Sequence, residues 1–171
     1  MSVLNTPADP RHQVPNPMAS GWLRSVPLAA VILGFVLVAY SYGSLPQEIP
    51  VHFNARGEAD DYGNKVILWL LPAVNLILFV VLEYAAKTPF DMFNYPVAIT
   101  EENAARQHRI ALQLLAYMRV VICLLLAYLV YAIVRSAQSG GSQLNMVVFW
   151  SFIVLVFAVI GWGFWRARTA R

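Results

Sequence analysis

Residues 66–86 read VILWLLPAVNLILFVVLEYAA, and one charged side chain, Glu83, interrupts the run. A stretch of about 20 apolar residues is what crosses a hydrocarbon core of about 30 Å. Backbone groups find no water there, so the stretch must be helical. Three further runs share this character: Leu23–Gly43, Leu115–Val134 and Met146–Trp165. None keeps a polar face, which argues against a soluble four-helix bundle. No ladder of alternating residues supports a β-barrel. The whole chain agrees, with 59% apolar and 12% charged residues over 171 positions. Soluble domains carry about 25% charged residues. The expected fold is an all-α integral membrane protein, a bundle of four transmembrane helices, with an ordered extracytoplasmic loop between helices one and two.

The basic residues orient the bundle. Arg11, Arg24, Lys87, Arg106, Arg109, Arg166, Arg168 and Arg171 flank one set of helix ends, whereas Arg56, Lys65 and Arg135 flank the other. Both termini are therefore expected in the cytoplasm. Trp22, Trp162 and Trp165 then mark the inner interface, and Tyr40, Tyr42 and Trp69 the outer one. Residues 1–21 lack apolar periodicity and read as a disordered cytoplasmic tail. The late first run, with no A-x-A site after it, argues against a cleaved signal peptide. The four-helix domain occupies residues 22–171, with helices at about 23–43, 66–86, 101–135 and 146–165. Residues 136–145 form a Gly/Ser hairpin.

The outer loop, residues 44–65, holds most polar positions that do not serve topology. Val51-His52-Phe53-Asn54 alternates as a short strand does. Asn54–Gly57 can turn, and Asp60, Asp61, Gly63 and Asn64 supply a second turn, with Lys65 capping helix two. His52, Asn54, Asp60, Asp61 and Lys65 form the candidate ligand-binding set. The same side chains could instead hydrogen-bond to one another and pin the loop. One histidine with nearby carboxylates lacks the ligand set of a zinc centre, so no metal and no cofactor are expected. A single cysteine, Cys123, excludes an internal disulfide and reads as a packed thiol.

Beyond the loop, Thr100 followed by Glu101 and Glu102 is an N-terminal helix signal. It starts one long helix from Glu101 through helix three. Arg106 and Arg109 on this segment suit a cytoplasmic partner or anionic lipid, or simply obey the positive-inside rule. Asn75, Glu83 and Arg119 are the polar positions inside the membrane. An Arg119–Glu83 pair is expected to tie helices two and three, with Arg119 snorkelling inward. Pro72 is expected to bend helix two near Asn75, whose amide then bonds another helix. Ala30 and Gly34 allow close helix packing.

The pattern Leu45, Pro46, Ile49, Pro50, His52, Phe53, Asn54, Gly57, Asp60, Gly63, Lys65 resembles the membrane domain of unknown function 1648. That domain forms the N-terminal part of SdpI-type immunity proteins. A second match follows helix two, at Asn94-Tyr95-Pro96 and Glu102-Asn103, and the resemblance covers roughly residues 26–120. It implies a bacterial inner-membrane protein whose relatives protect a producer cell from an exported toxic peptide and sequester a repressor. Here four apolar runs stand without the further C-terminal segments of SdpI itself. The expected function is binding or sensing of an extracytoplasmic ligand such as a toxic peptide. The alternatives are a signalling or accessory subunit that engages a cytoplasmic regulator, and a small transporter component. No hydrolase, zinc-protease, nucleotide or dinucleotide pattern occurs, so no enzyme is expected. The partners are the lipid bilayer, the peptide and the regulator, with no nucleic acid.

Overall fold

A computed structural model describes residues 14–19, 21–140 and 144–170. Four of its helices are long and apolar enough to cross a membrane. Helix α1 spans Trp22–Ser41, and a hairpin of β1 (Glu48–Phe53) and β2 (Ala59–Asn64) follows it. A 3-10 turn at Lys65–Trp69 leads into α2, Leu70–Ala85. Helix α3 is Ala104–Ser139 and α4 is Met146–Thr169. At 36 residues, α3 is about 54 Å long, so it outruns the bilayer.

Burial is arranged as lipid solvent demands. Val36, Ile77, Val154 and Phe157 are each more than half exposed on the outer helix faces, while Asn75, Gln107, His108 and Arg119 are buried. A soluble bundle would reverse that pattern, because its polar residues would face water. Helix α3 is the central post. Helices α1, α2 and α4 all pack on it, and α4 has its main helix contact with α3. Three buried clusters follow its length. Val38, Leu45, Ile49, Leu68, Val130 and Val134 join the hairpin to the bundle. Ala30, Val31, Cys123 and Ala127 fill the middle. Val14, Met18, Ala86, Leu112 and Ala116 close the far end. Gly34 lets α1 approach α2, since a Cβ there would sit 3.3 Å from the Pro72 Cβ.

Several local expectations change. Residues 1–13 lie outside the described residues, but Val14 and Met18 are buried. That part of the expected disordered tail is therefore seated, held by apolar contacts with α2 and α3. Pro72 sits at the start of α2 rather than in its interior. The α-helix starts at Leu70, which places Pro72 in the first turn, where no backbone N–H is needed. Helix α3 begins at Ala104, later than Glu101. Thr100 and Asn103 close the turn before it reciprocally. The Asn103 N–H donates to Thr100 Oγ1 at 3.3 Å, and the Thr100 N–H to Asn103 Oδ1 at 2.9 Å. Helix α4 continues past Trp165 to Thr169, because Gln107 on α3 ties down its last carbonyls, those of Ala167 and Ala170.

Candidate functional site beneath the hairpin

The second half of the outer loop is a strand rather than a turn. Asp60, Asp61, Gly63 and Asn64 are poor strand formers. They are tolerated because β2 needs only backbone pairing with β1: Glu48 faces Asn64, Ile49 faces Gly63 and Pro50 faces Tyr62. The register is irregular around His52, which faces Asp61 across the pair. The β1 side chains split between two faces. Ile49 and Pro50 are buried, Val51 and Phe53 are half-buried, and His52 is exposed.

Asn54 builds the tip. Its Oδ1 accepts from the backbone N–H of Arg56 at 2.8 Å and of Glu58 at 3.1 Å, which is an Asx turn. Its Nδ2 donates to Glu58 Oε2 at 2.9 Å, and Arg56 Nε donates to the same oxygen at 3.0 Å. Gly57 takes φ 82°. Its carbonyl accepts from the Leu144 N–H at 2.7 Å, so the tip rests on the start of α4. Asn145 caps that helix by accepting from the Val147 and Val148 N–H groups.

Of the predicted loop set, the structure brings His52 Nδ1 against Asp60 Oδ1 in an exposed pair. Asp61 is exposed and accepts from the Tyr62 N–H. Lys65 goes elsewhere. Its Nζ donates to the carbonyls of Tyr42 at 3.0 Å and Leu45 at 3.1 Å, and lies 4.8 Å from the Tyr42 ring centre. It therefore holds the C-terminal end of α1, where a cation complements the helix dipole. The cap of the turn into α2 is instead Asn64, whose side chain accepts from the Val66 N–H. Lys65→Met is expected to lower stability by about 1–2 kcal/mol, the scale of a charge-assisted hydrogen bond that is half exposed. Thermal unfolding in detergent checks this; an unchanged midpoint would show that the two carbonyls are satisfied without the ammonium.

Under the hairpin lies a cavity of about 360 Å³. Ile49, Val51 and Phe53 of β1 roof it, Leu68 and Leu71 wall one side, Leu129 and Ile133 of α3 floor it, and Leu144, Met146 and Phe149 wall the other. His52 and Asn54 stand at its rim. An apolar enclosure of this size with a few polar groups at the edge has the character of a small-ligand site. Among the described residues no three His, Cys, Asp or Glu side chains group to hold a metal.

At the opposite end, Tyr95 reaches His108 Nδ1 at 3.1 Å and the Phe90 carbonyl at 3.3 Å. Burial pushes its phenol above the ordinary value, so it stays protonated as a donor. Phe90 and Phe93 pack around these rings, both edge-on to His108 and Phe93 stacked on Tyr95. Asn103 Nδ2 donates to the Ala98 carbonyl at 3.0 Å. Asn94, Tyr95 and Pro96 border a cleft of about 100 Å³ between α3 and α4. Glu102 is exposed in the turn before α3. Sequence reasoning missed His108 and Gln107, both buried. The available signal was two polar residues between Arg106 and Arg109, next to an aromatic segment.

Inside the membrane, Asn75 Nδ2 donates to the Cys123 carbonyl at 3.1 Å, the interhelical bond expected. Arg119 pairs with Glu83 as expected. Its side chain is sealed within the protein, at 0% exposure. Its Nη2 donates to the Leu23 carbonyl at 2.9 Å and reaches the Met18 carbonyl at 3.5 Å. The guanidinium carbon lies 4.9 Å from the Phe79 ring centre.

These features define a class: a multi-pass helical membrane protein with a two-stranded cap over an apolar cavity at one end. Residues 29–76 match the family model described as "Domain of unknown function (DUF1648)", a segment that takes in most of α1, the hairpin and the start of α2. An uncharacterized protein of Archaeoglobus fulgidus is 36% identical over 70 residues, covering 40% of this chain. The chain spans only 38% of that relative's length. No solved structure matches significantly. The Asn94–Asn103 motif lies outside the family-matched segment.

Proposed function

We propose that the chain binds or senses an extracytoplasmic ligand, such as a toxic peptide, and confers immunity or resistance. The observation that carries this reading is the apolar cavity beneath the hairpin, with His52 and Asn54 at its rim. The resemblance to SdpI-type immunity proteins supplies its biological sense. The hairpin faces outward and both termini are cytoplasmic in a bacterial inner membrane. Support for this orientation comes from Arg24, Lys87, Arg106, Arg109, Arg166 and Arg168, which belong to the helix ends away from the hairpin. Expression in a sensitive host tests the function, using membrane-active peptides encoded beside the chain. The native chain is expected to protect, and Ile133→Trp, which fills the cavity floor, to abolish protection while the protein still accumulates. Equal survival with and without the native chain would sink the immunity reading.

A second reading is that the segment Asn94–Arg109 passes hairpin occupancy to a cytoplasmic regulator. The exposed Arg106 and Arg109, beside the Tyr95–His108 contact, favour it. Crosslinking from that segment in cells separates the two, because immunity alone needs no cytoplasmic partner.

A further inference from the structure

We propose that the cavity beneath the hairpin takes the hydrocarbon chain of a single-chain cationic amphiphile, which enters sideways from the bilayer. This rests on the ligand-binding reading above and names the chemistry of the ligand.

Three observations carry it. The first is a lateral opening. Helices α2 and α4 both pack chiefly on α3 and have no extensive contact with each other. Between their N-terminal ends runs a slot floored by Leu129 and Ile133 and roofed by β1. Ile67 and Leu70 line the cavity and are also about half exposed. They belong to a segment apolar enough to span the membrane, so the mouth meets lipid rather than water. A chain already dissolved in the leaflet then enters without crossing water, and each buried methylene adds little desolvation cost.

The second observation is size. The cavity holds about 360 Å³ and its lining is almost wholly apolar, a space that a flexible hydrocarbon chain can fill.

The third is the charge of the rim. His52 bonds to Asp60, so a carboxylate stands one hydrogen bond from the lining. Asp61, the next residue, is exposed. Of the loop cations, Arg56 is paired with Glu58, and the Lys65 ammonium is held by α1 carbonyls. An amine head is attracted to such a rim and a carboxylate head is repelled.

The test uses the full chain in phosphatidylcholine nanodiscs with a long-chain alkylamine that carries a diazirine near its chain end. After irradiation, label is expected on cavity residues such as Val51, Leu71, Ile133 and Phe149. Ile133→Trp is expected to lower that label by about tenfold, the equivalent of about 1.4 kcal/mol. The exposed pair Asp60→Asn and Asp61→Asn leaves the cavity intact. It is expected to remove a preference of roughly two- to fivefold for the amine over a carboxylate probe of equal length. Label spread over the outer faces of α1 and α4, with no dependence on Ile133, would overturn the proposal. Equal labelling by the two heads in the native chain would also overturn it. If the alkylamine labels the cavity but no peptide protection is found, the immunity reading falls and this one stands. If the chain protects but the cavity takes no label, the amphiphile proposal falls and immunity stands.

Discussion

Arg119→Met is expected to lower the stability of the bundle by about 3–5 kcal/mol, several times the effect of any neutral polar substitution in the membrane. The guanidinium is wholly buried and bonds to the Glu83 carboxylate and the carbonyls of Leu23 and Met18. Its removal strands Glu83 with Lys87 Nζ, 3.4 Å away and largely exposed, as the remaining cation. It also releases the start of α1 and the segment around Met18. Asn75→Ala is the internal standard. Its bond to the Cys123 carbonyl joins two neutral groups, and such interhelical bonds are worth about 0.6 kcal/mol. Unfolding in mixed micelles should separate the two variants widely. The double variant Arg119→Met, Glu83→Gln should recover part of the loss, because no unpaired carboxylate remains. Exchanging the two charges is expected to rescue poorly. A carboxylate at position 119 would face the Leu23 and Met18 carbonyls, which accept and cannot donate. Equal melting of Arg119→Met and Asn75→Ala would show that the cluster does not hold the helices together.

The Arg119–Glu83 contact was legible in the sequence because charge is costly at membrane depth and only one acid stood at a matching level. The carbonyl partners were not legible. Nothing in MASGWLRS marks Met18 as buried, since its burial depends on Ala86, Leu112 and Ala116 arriving from two other helices. The same distinction runs through the hairpin. Alternation in Val51–Asn54 announced β1, but β2 has no apolar alternation of its own and borrows its form from its neighbour. The four spans could be read from runs of residues, and the helix ends were displaced where tertiary contacts decided them, as Gln107 does for α4. The His52–Asp60 contact followed from proximity along the loop. The cavity did not, because its floor and far wall come from α3 and α4, at least 65 residues further on.

Gly57→Val is expected to lift the hairpin tip from α4 and cost about 2–4 kcal/mol, combining backbone strain with a lost hydrogen bond. Two independent constraints meet at this glycine. Its φ of 82° lies in the left-handed region that β-branched residues avoid. A Cβ there would also lie 2.4 Å from the Leu144 carbonyl oxygen and 2.8 Å from Met146 Cγ. The backbone oxygen cannot swing aside as a side-chain end can, so the tip itself must move. Movement breaks the 2.7 Å bond from the Leu144 N–H to the Gly57 carbonyl and opens the cavity along its Leu144 and Met146 wall. The damage should be local. Hydrogen exchange is expected to accelerate at the hairpin amides, that of Asn54 included, while the α1–α3 contact around Val31 and Cys123 keeps its protection. Gly43→Ala supplies the contrast, because that glycine has no neighbour within 4 Å of an added Cβ and its φ is not positive. If exchange at the hairpin is unchanged in Gly57→Val, the tip does not depend on α4 for its position. The contact with Leu144 would then be incidental, and the ligand-binding reading would lose its claim that this contact fixes the cavity wall.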